Sequence, residues 1–393
     1  MRRLSLHIGA HKTGTTSLQR TLQLNQKILN ARGIAYACVA PAPQVHRYLG
    51  FLNPSRIFPS GFCVRDPQAF AEFLSQHASD HVCASSENFS FIFQQKVLDD
   101  LAVALRRKFD QIDILVYLRR QDRHAVSHHQ EGAKPDRKPE TELWGHGLDA
   151  LPEPAEIQRL YLDYDARLML WENAFGRQSL RVRVFDRALL LDGDIVVDAM
   201  QLMGLDSFGL ARVADCNLSL GHLQAVIGHL ANDAFADKAV ITNLLEAFSW
   251  DDNKMLPTEP TARAFLAPYI EGNRRLNARL NISPEPDLFS NDFSDFPAER
   301  SGTLGHEDWA NVLRVVIGAL GTGATALRAL TANDLRDAAL ALEKNQPQVA
   351  LRFVTAAHEN RPNGNVINRL KGDLERRLSA ASGSTTLPQS QKV

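Results

Sequence analysis

The sequence predicts an α/β fold, a three-layer parallel sheet with a P-loop-like turn after its first strand, followed by a C-terminal helical region. Three observations predict it. Short apolar runs alternate with helix-period segments over roughly the first two hundred residues, the pattern of βα units. The run 112–118 is almost uninterruptedly apolar, as a strand covered on both faces should be. From about Leu218 onward strand signals fade and helical spacing dominates.

Residues 4–9 read as the first strand, and a Gly/Thr-rich turn follows it. Leu18, Leu22 and Leu29 then recur at helical spacing. Residues 34–39 and 82–85 are further short strands. Residues 95–109 form a helix with Val97, Leu98, Leu101 and Leu105 on one face, and 180–185 is the last strand. The stretch 131–154 carries Pro135, Pro139, Pro152 and Pro154 with Trp144 and His146, a long loop that reads equally as an acceptor lid or as a disordered insertion. After Pro297 a separate helical appendage is expected. Ala338, Ala350, Ala357 and Pro362 stand there at offsets suited to a single tetratricopeptide-like hairpin, with a plain helical hairpin as the equal alternative. Residues 380–393, rich in Ser, Thr and Gln, read as a disordered tail. The expected division is thus 1–300, 301–379 and 380–393.

The chain has 393 residues with 44 Lys+Arg against 45 Asp+Glu. A net charge of -1 argues against a protein that coats nucleic acid or an anionic membrane. Cys38, Cys63, Cys83 and Cys216 are far apart in sequence with no CxxC pair, so they read as reduced, small apolar residues rather than disulfides or zinc ligands. The apolar run after Arg2 and Arg3 stops at Gly9, too short for a signal-peptide core. No later run reaches membrane-spanning length. The expectation is a cytoplasmic protein without a transmembrane segment.

The most informative stretch is Gly9-Ala10-His11-Lys12-Thr13-Gly14-Thr15-Thr16-Ser17. Glycines allow a tight turn, and the N–H groups of the turn and helix start can converge on an anion. Three hydroxyls and Lys12 add donors and charge. A nucleotide-triphosphate P-loop places lysine directly after the second glycine; here Thr15 follows Gly14 and the lysine comes earlier. A second element follows the apolar strand: Arg119, whose planar fork suits phosphate, with Ser127 on the next helix. Arg120 and Arg123 accompany them at the carboxyl end of the strand, where open α/β sheets bind ligands.

The run HIGAHKTGTTSLQ resembles the 5′-phosphosulfate-binding loop of bacterial sulfotransferases, and Arg-x7-Ser resembles that family's 3′-phosphate-binding element. The stretch VRVFDRALLLDGDIVVDAMQLMGL, Asn217-Leu218-Ser219 and residues 287–296 extend the likeness over roughly the first three hundred residues. The resemblance implies a PAPS-dependent sulfotransferase that moves a sulfuryl group to a hydroxyl or amine and leaves PAP. It implies that His11, Lys12, Thr13, Gly14, Thr15, Thr16, Ser17, Arg119 and Ser127 hold the nucleotide, with Lys12 stabilising the leaving phosphate and no metal required. Glu87, in Ser85-Ser86-Glu87-Asn88 at a strand end, stands where the family places its base. His46 is the second candidate. His128 and His129 are read as acceptor-side or helix-surface residues, and Phe185 as core. A glycan or small-molecule acceptor is expected; the oligomeric state is not legible. The rival readings are a P-loop small-molecule kinase and a non-catalytic interaction module on the same fold.

Overall fold

The computed structural model describes residues 1–52, 61–135, 149–151, 155–213, 220–234, 238–249, 251, 253–298, 331–344 and 347–382. Two compact units are present, Met1–Val316 and Ile317–Val393. The strands of the first are β1 (Arg3–His7), β2 (Ile34–Ala37), β3 (Leu49–Phe51), β4 (Phe62–Val64), β5 (His81–Ser85), β6 (Gln111–Leu118) and β7 (Leu180–Val184). Its helices are α1 (Thr15–Leu24), α2 (Gln26–Ala31), α3 (Pro67–Ser75), α4 (Gln95–Arg106), α5 (Gln121–Gly132), α6 (Glu156–Leu162), α7 (Tyr164–Phe175), α8 (Ile195–Leu202), α9 (His222–Ala234), α10 (Lys238–Ala247), α11 (Glu259–Leu266) and α12 (Ile270–Leu280).

Five strands form a parallel sheet in the order β2-β5-β1-β6-β7. The fold is α/β, as the alternation of runs predicts. Successive residues of β6 serve opposite layers. Ile114, Val116 and Leu118 join a core with Leu4, Leu6, Leu98, Leu101 and Trp171. Leu115 and Tyr117 join another with Leu18, Leu22, Val196 and Met200. Both faces being covered is why this strand shows no polar alternation. Within it Asp113 is 1% exposed and is held by Arg3 at 2.7 Å and Arg181 at 2.8 Å from the flanking strands.

The antiparallel pair β3–β4 is additional to the predicted elements; three-residue strands are too short to leave a pattern. The proline-rich loop falls largely on residues 136–148 and 152–154, so Trp144 and His146 lie outside the described residues, as do Cys216 and Asn217-Leu218-Ser219. No helix among the described residues is long and apolar enough to cross a membrane. In the second unit α13 (Ala332–Leu342), α14 (Pro347–Asn360) and α15 (Asn365–Ser382) bury Leu335, Ala339, Ala350, Val354, Ala357, Ile367, Leu370 and Leu374 together. A third helix completes that core, so the appendage has more than a hairpin.

Candidate functional site

The chain leaves β1 for β2 on one side of the sheet, then crosses from β5 to β6 on the other. This reversal opens a crevice at the carboxyl ends of β1 and β6, the position at which doubly wound sheets take ligands. The ladder continues past β1. Ile8 and Ala10 N–H donate to the Leu115 and Tyr117 carbonyls, and Tyr117 N–H donates to Gly9. The turn therefore starts paired along β6, which brings Lys12 beside Arg119; the guanidinium lies 3.4 Å from the Lys12 carbonyl.

Lys12 and Gly14 adopt left-handed backbone conformations, φ 57° and 77°. Gly14 is the residue just before α1, and a Cβ there would meet Ile195 at 3.0 Å. Glycine is what lets α1 start this close to α8. The Thr13 hydroxyl donates back to the Ala10 carbonyl at 2.6 Å and stiffens the turn.

Lys12, Gly14, Ser17, Arg119 and Ser127 line one cavity of about 690 Å³. Lys134, Arg187, Arg212 and Lys254 add cations to it, and Asp192 and Asp194 are its carboxylates. Asp194 is engaged as the cap of α8, accepting from Val196 and Val197 N–H. The described lining thus carries an excess of positive charge, suited to a ligand with several negative charges. Lys134, Arg187, Arg212 and Lys254 escape sequence reasoning because they come from four separated segments. Only Arg187, three residues past the end of β7, had a positional signal. Phe185 packs with the core and also borders the cavity.

The other loop residues have different duties. Thr13 and Thr15 are buried, and Thr16 is not among the lining residues. His11 is tied to Tyr161, whose hydroxyl receives the His11 N–H at 3.0 Å and sits 2.9 Å from Nδ1. Its ring lies among Phe91, His128 and Tyr161, so it shapes the loop from behind. His128 and His129 are not helix-surface residues: each is 1% exposed, and His129 packs on His229 at 4.1 Å. Gly228 allows that approach, since a Cβ there would overlap the Ala133 carbonyl. Arg120 and Arg123 also turn away from the cavity. Arg120 pairs with Asp122, donates to the Ser290 and Asp292 carbonyls and covers the Phe293 ring. Arg123 pairs with Asp295.

Glu87 and His46 come together at the end of β5, on the flank of the loop away from β6. His46 Nε2 is 3.6 Å from Glu87 Oε1, and Nδ1 is 2.5 Å from Ser86 Oγ. Gln19 of α1 donates to Glu87 at 2.7 Å and to Ser85 at 3.0 Å, and Ser85 contacts His7 at 2.8 Å. Burial opposes the Glu87 charge, but the His46 and His11 rings and the Gln19 amide outweigh it and hold the carboxyl below the usual range. Glu87 is therefore ionised at neutral pH.

No protein-family model matches the chain. An uncharacterized protein of Archaeoglobus fulgidus is 27% identical over 181 residues, covering 43% of this chain and 47% of its own length. The chain thus spans about half the length of the curated relative it matches. A sulfotransferase structure from Alicyclobacillus acidocaldarius aligns over 72% of this chain and 97% of its own, at 17% identity and a TM-score of 0.39.

Proposed function

We propose that the chain is a sulfotransferase that uses PAPS and delivers its sulfuryl group to a hydroxyl, with a carbohydrate or glycolipid as the favoured acceptor class. One observation carries this reading. The phosphate-type loop after β1 and the Arg119–Ser127 element after β6 open into the same cation-rich cavity. In this reading the two elements supply donors for two separate phosphate groups of one nucleotide. The volume and charge of the lining suit a nucleotide of the PAP type.

When bound, PAPS supplies an activated sulfuryl group. The chain supplies alignment and charge. In this reading the N–H groups at the start of α1 and the Ser17 hydroxyl hold the 5′-phosphate. Arg119 and Ser127 hold the 3′-phosphate. The Lys12 ammonium neutralises charge on the leaving oxygen. An acceptor hydroxyl must lose its proton as its oxygen bonds to sulfur, and Glu87 with His46 takes that proton. In this reading the proton passes to that pair, whose carboxylate and imidazole face each other at 3.6 Å.

Titration calorimetry with PAP, with and without magnesium, tests the nucleotide site, and PAPS turnover across acceptor classes, read by mass spectrometry, tests the reaction. PAP binding without magnesium and a sulfate-sized mass gain on an acceptor are expected. Stabilisation by ATP–Mg but not by PAP would return the kinase reading. PAP binding with no turnover on any acceptor class would favour the non-catalytic one.

A further inference from the structure

Lys12 Nζ lies 2.8 Å from Glu131 Oε2, and Lys134 reaches the same oxygen at 2.8 Å. Glu131 stands four positions after Ser127 on α5, so the two share one helix face, and Lys134 follows two residues past the helix end. Ser127 and Lys134 line the cavity. The side chains of Lys12 and Glu131 are only 20% and 13% exposed. A cation enclosed this far loses much of its hydration and needs a counter-charge to stay protonated.

The charged neighbours of Lys12 are unequal. Glu131 faces it from α5, Lys134 from the turn after that helix, and Arg119 from just past the end of β6. Arg187, Asp192, Asp194, Arg212 and Lys254 line the rest of the cavity. Among the described residues, Glu131 is the carboxylate within ion-pair distance of Lys12. Burial pushes the Lys12 ammonium toward the neutral form, Glu131 opposes this, and Lys134 and Arg119 reinforce it.

We propose that Glu131 is a positioning residue that keeps Lys12 charged and held at the loop until an incoming oxyanion takes its place. The inference deepens the sulfotransferase reading and rests on it only for the identity of that oxyanion. It has two consequences. Glu131 is a resident anion with which any ligand phosphate or sulfate competes. Without it, Lys12 has two cations for neighbours and gives up its proton at lower pH.

The test is a nucleotide-free titration of the full chain by NMR with 13Cε-labelled lysine, the Lys12 signal being assigned by its loss in Lys12→Arg. In Glu131→Gln the Lys12 midpoint should fall by about one pH unit or more relative to wild type. Glu131→Asp should recover part of the fall, and Lys134→Met should move the midpoint upward. The opposite signs keep the test decisive even if one variant folds poorly. Inorganic pyrophosphate then probes ligand binding by calorimetry. Between about pH 7 and pH 9 its affinity should fall about tenfold more steeply in Glu131→Gln than in wild type. An unchanged Lys12 midpoint in Glu131→Gln, or parallel pyrophosphate profiles, overturns the proposal. Neither readout uses PAP, so absence of PAP binding in the wild type would sink the sulfotransferase reading while leaving Glu131 separately decided.

Discussion

Replacing Gly14 by alanine should damage both stability and nucleotide binding, and the structure separates the two effects. Gly14 sits at φ 77° and ψ 15°, a region that costs an alanine about 1 kcal/mol or more. Its new Cβ would stand 3.0, 3.1 and 3.2 Å from three atoms of Ile195. Relieving that contact moves α1 against α8 and adds an overpacking cost of about 1 kcal/mol or more. The expected total is about 2–3 kcal/mol. Gly33 is the control. Its φ is 74°, but a Cβ there meets nothing within 4 Å, so Gly33→Ala should cost about 1 kcal/mol from backbone strain alone. Urea unfolding followed by tryptophan fluorescence is the assay. Trp171, buried in the core against Phe89 and Phe175, is the reporter within the α/β unit. PAP affinity should fall about tenfold or more in Gly14→Ala, because the N–H groups at the helix start shift by a fraction of an ångström. It should be unchanged in Gly33→Ala. Equal unfolding midpoints for the two variants, or a Gly14→Ala protein with wild-type PAP affinity, would refute the argument that Gly14 sets the loop.

Three further outcomes are expected. Lys12→Ala should abolish PAPS turnover, whereas Arg119→Ala should mainly weaken PAP binding in calorimetry; wild-type turnover in Lys12→Ala contradicts the assignment of the loop. Glu87→Gln should lower turnover about a hundredfold or more with PAP affinity nearly kept, and normal turnover would remove Glu87 from the base. His7 is buried, and its pKa is pushed down to about 4 by burial, with Glu87 partly opposing. The unfolded chain therefore binds this proton first, so stability should be full above about pH 6.5 and fall by about 3 kcal/mol on His7's account as the pH drops toward 4. Wild-type urea midpoints should fall across that window and those of His7→Phe should not; an equal fall in both, or a flat wild-type profile, would show that His7 is not the group responsible.

Much of this protein is legible in its sequence, because the determining signals are local. The apolar run of β6, the spacing of Leu18 and Leu22, and the glycine-threonine turn each act through neighbours a few residues away, so each leaves a pattern. The same locality explains why Lys12 and Gly14 could be picked out before any fold was known. The tertiary structure decided which charges meet. Arg119 and Arg120 are adjacent in sequence, yet one lines the cavity while the other turns to Asp122 and Phe293. Both lie between the end of β6 and the start of α5, and Arg120, the residue just before α5, is carried away from the cavity by the helix start. His11 belongs to the loop but faces Tyr161, a hundred and fifty residues distant. Lys12 finds Glu131, and Arg187, Arg212 and Lys254 gather from separate connections, through sheet order and helix packing alone. Sequence spacing encodes which residues can form a turn or a face; only the fold's long-range closure fixes which charges end up sharing a desolvated space, where their interactions are strong enough to matter.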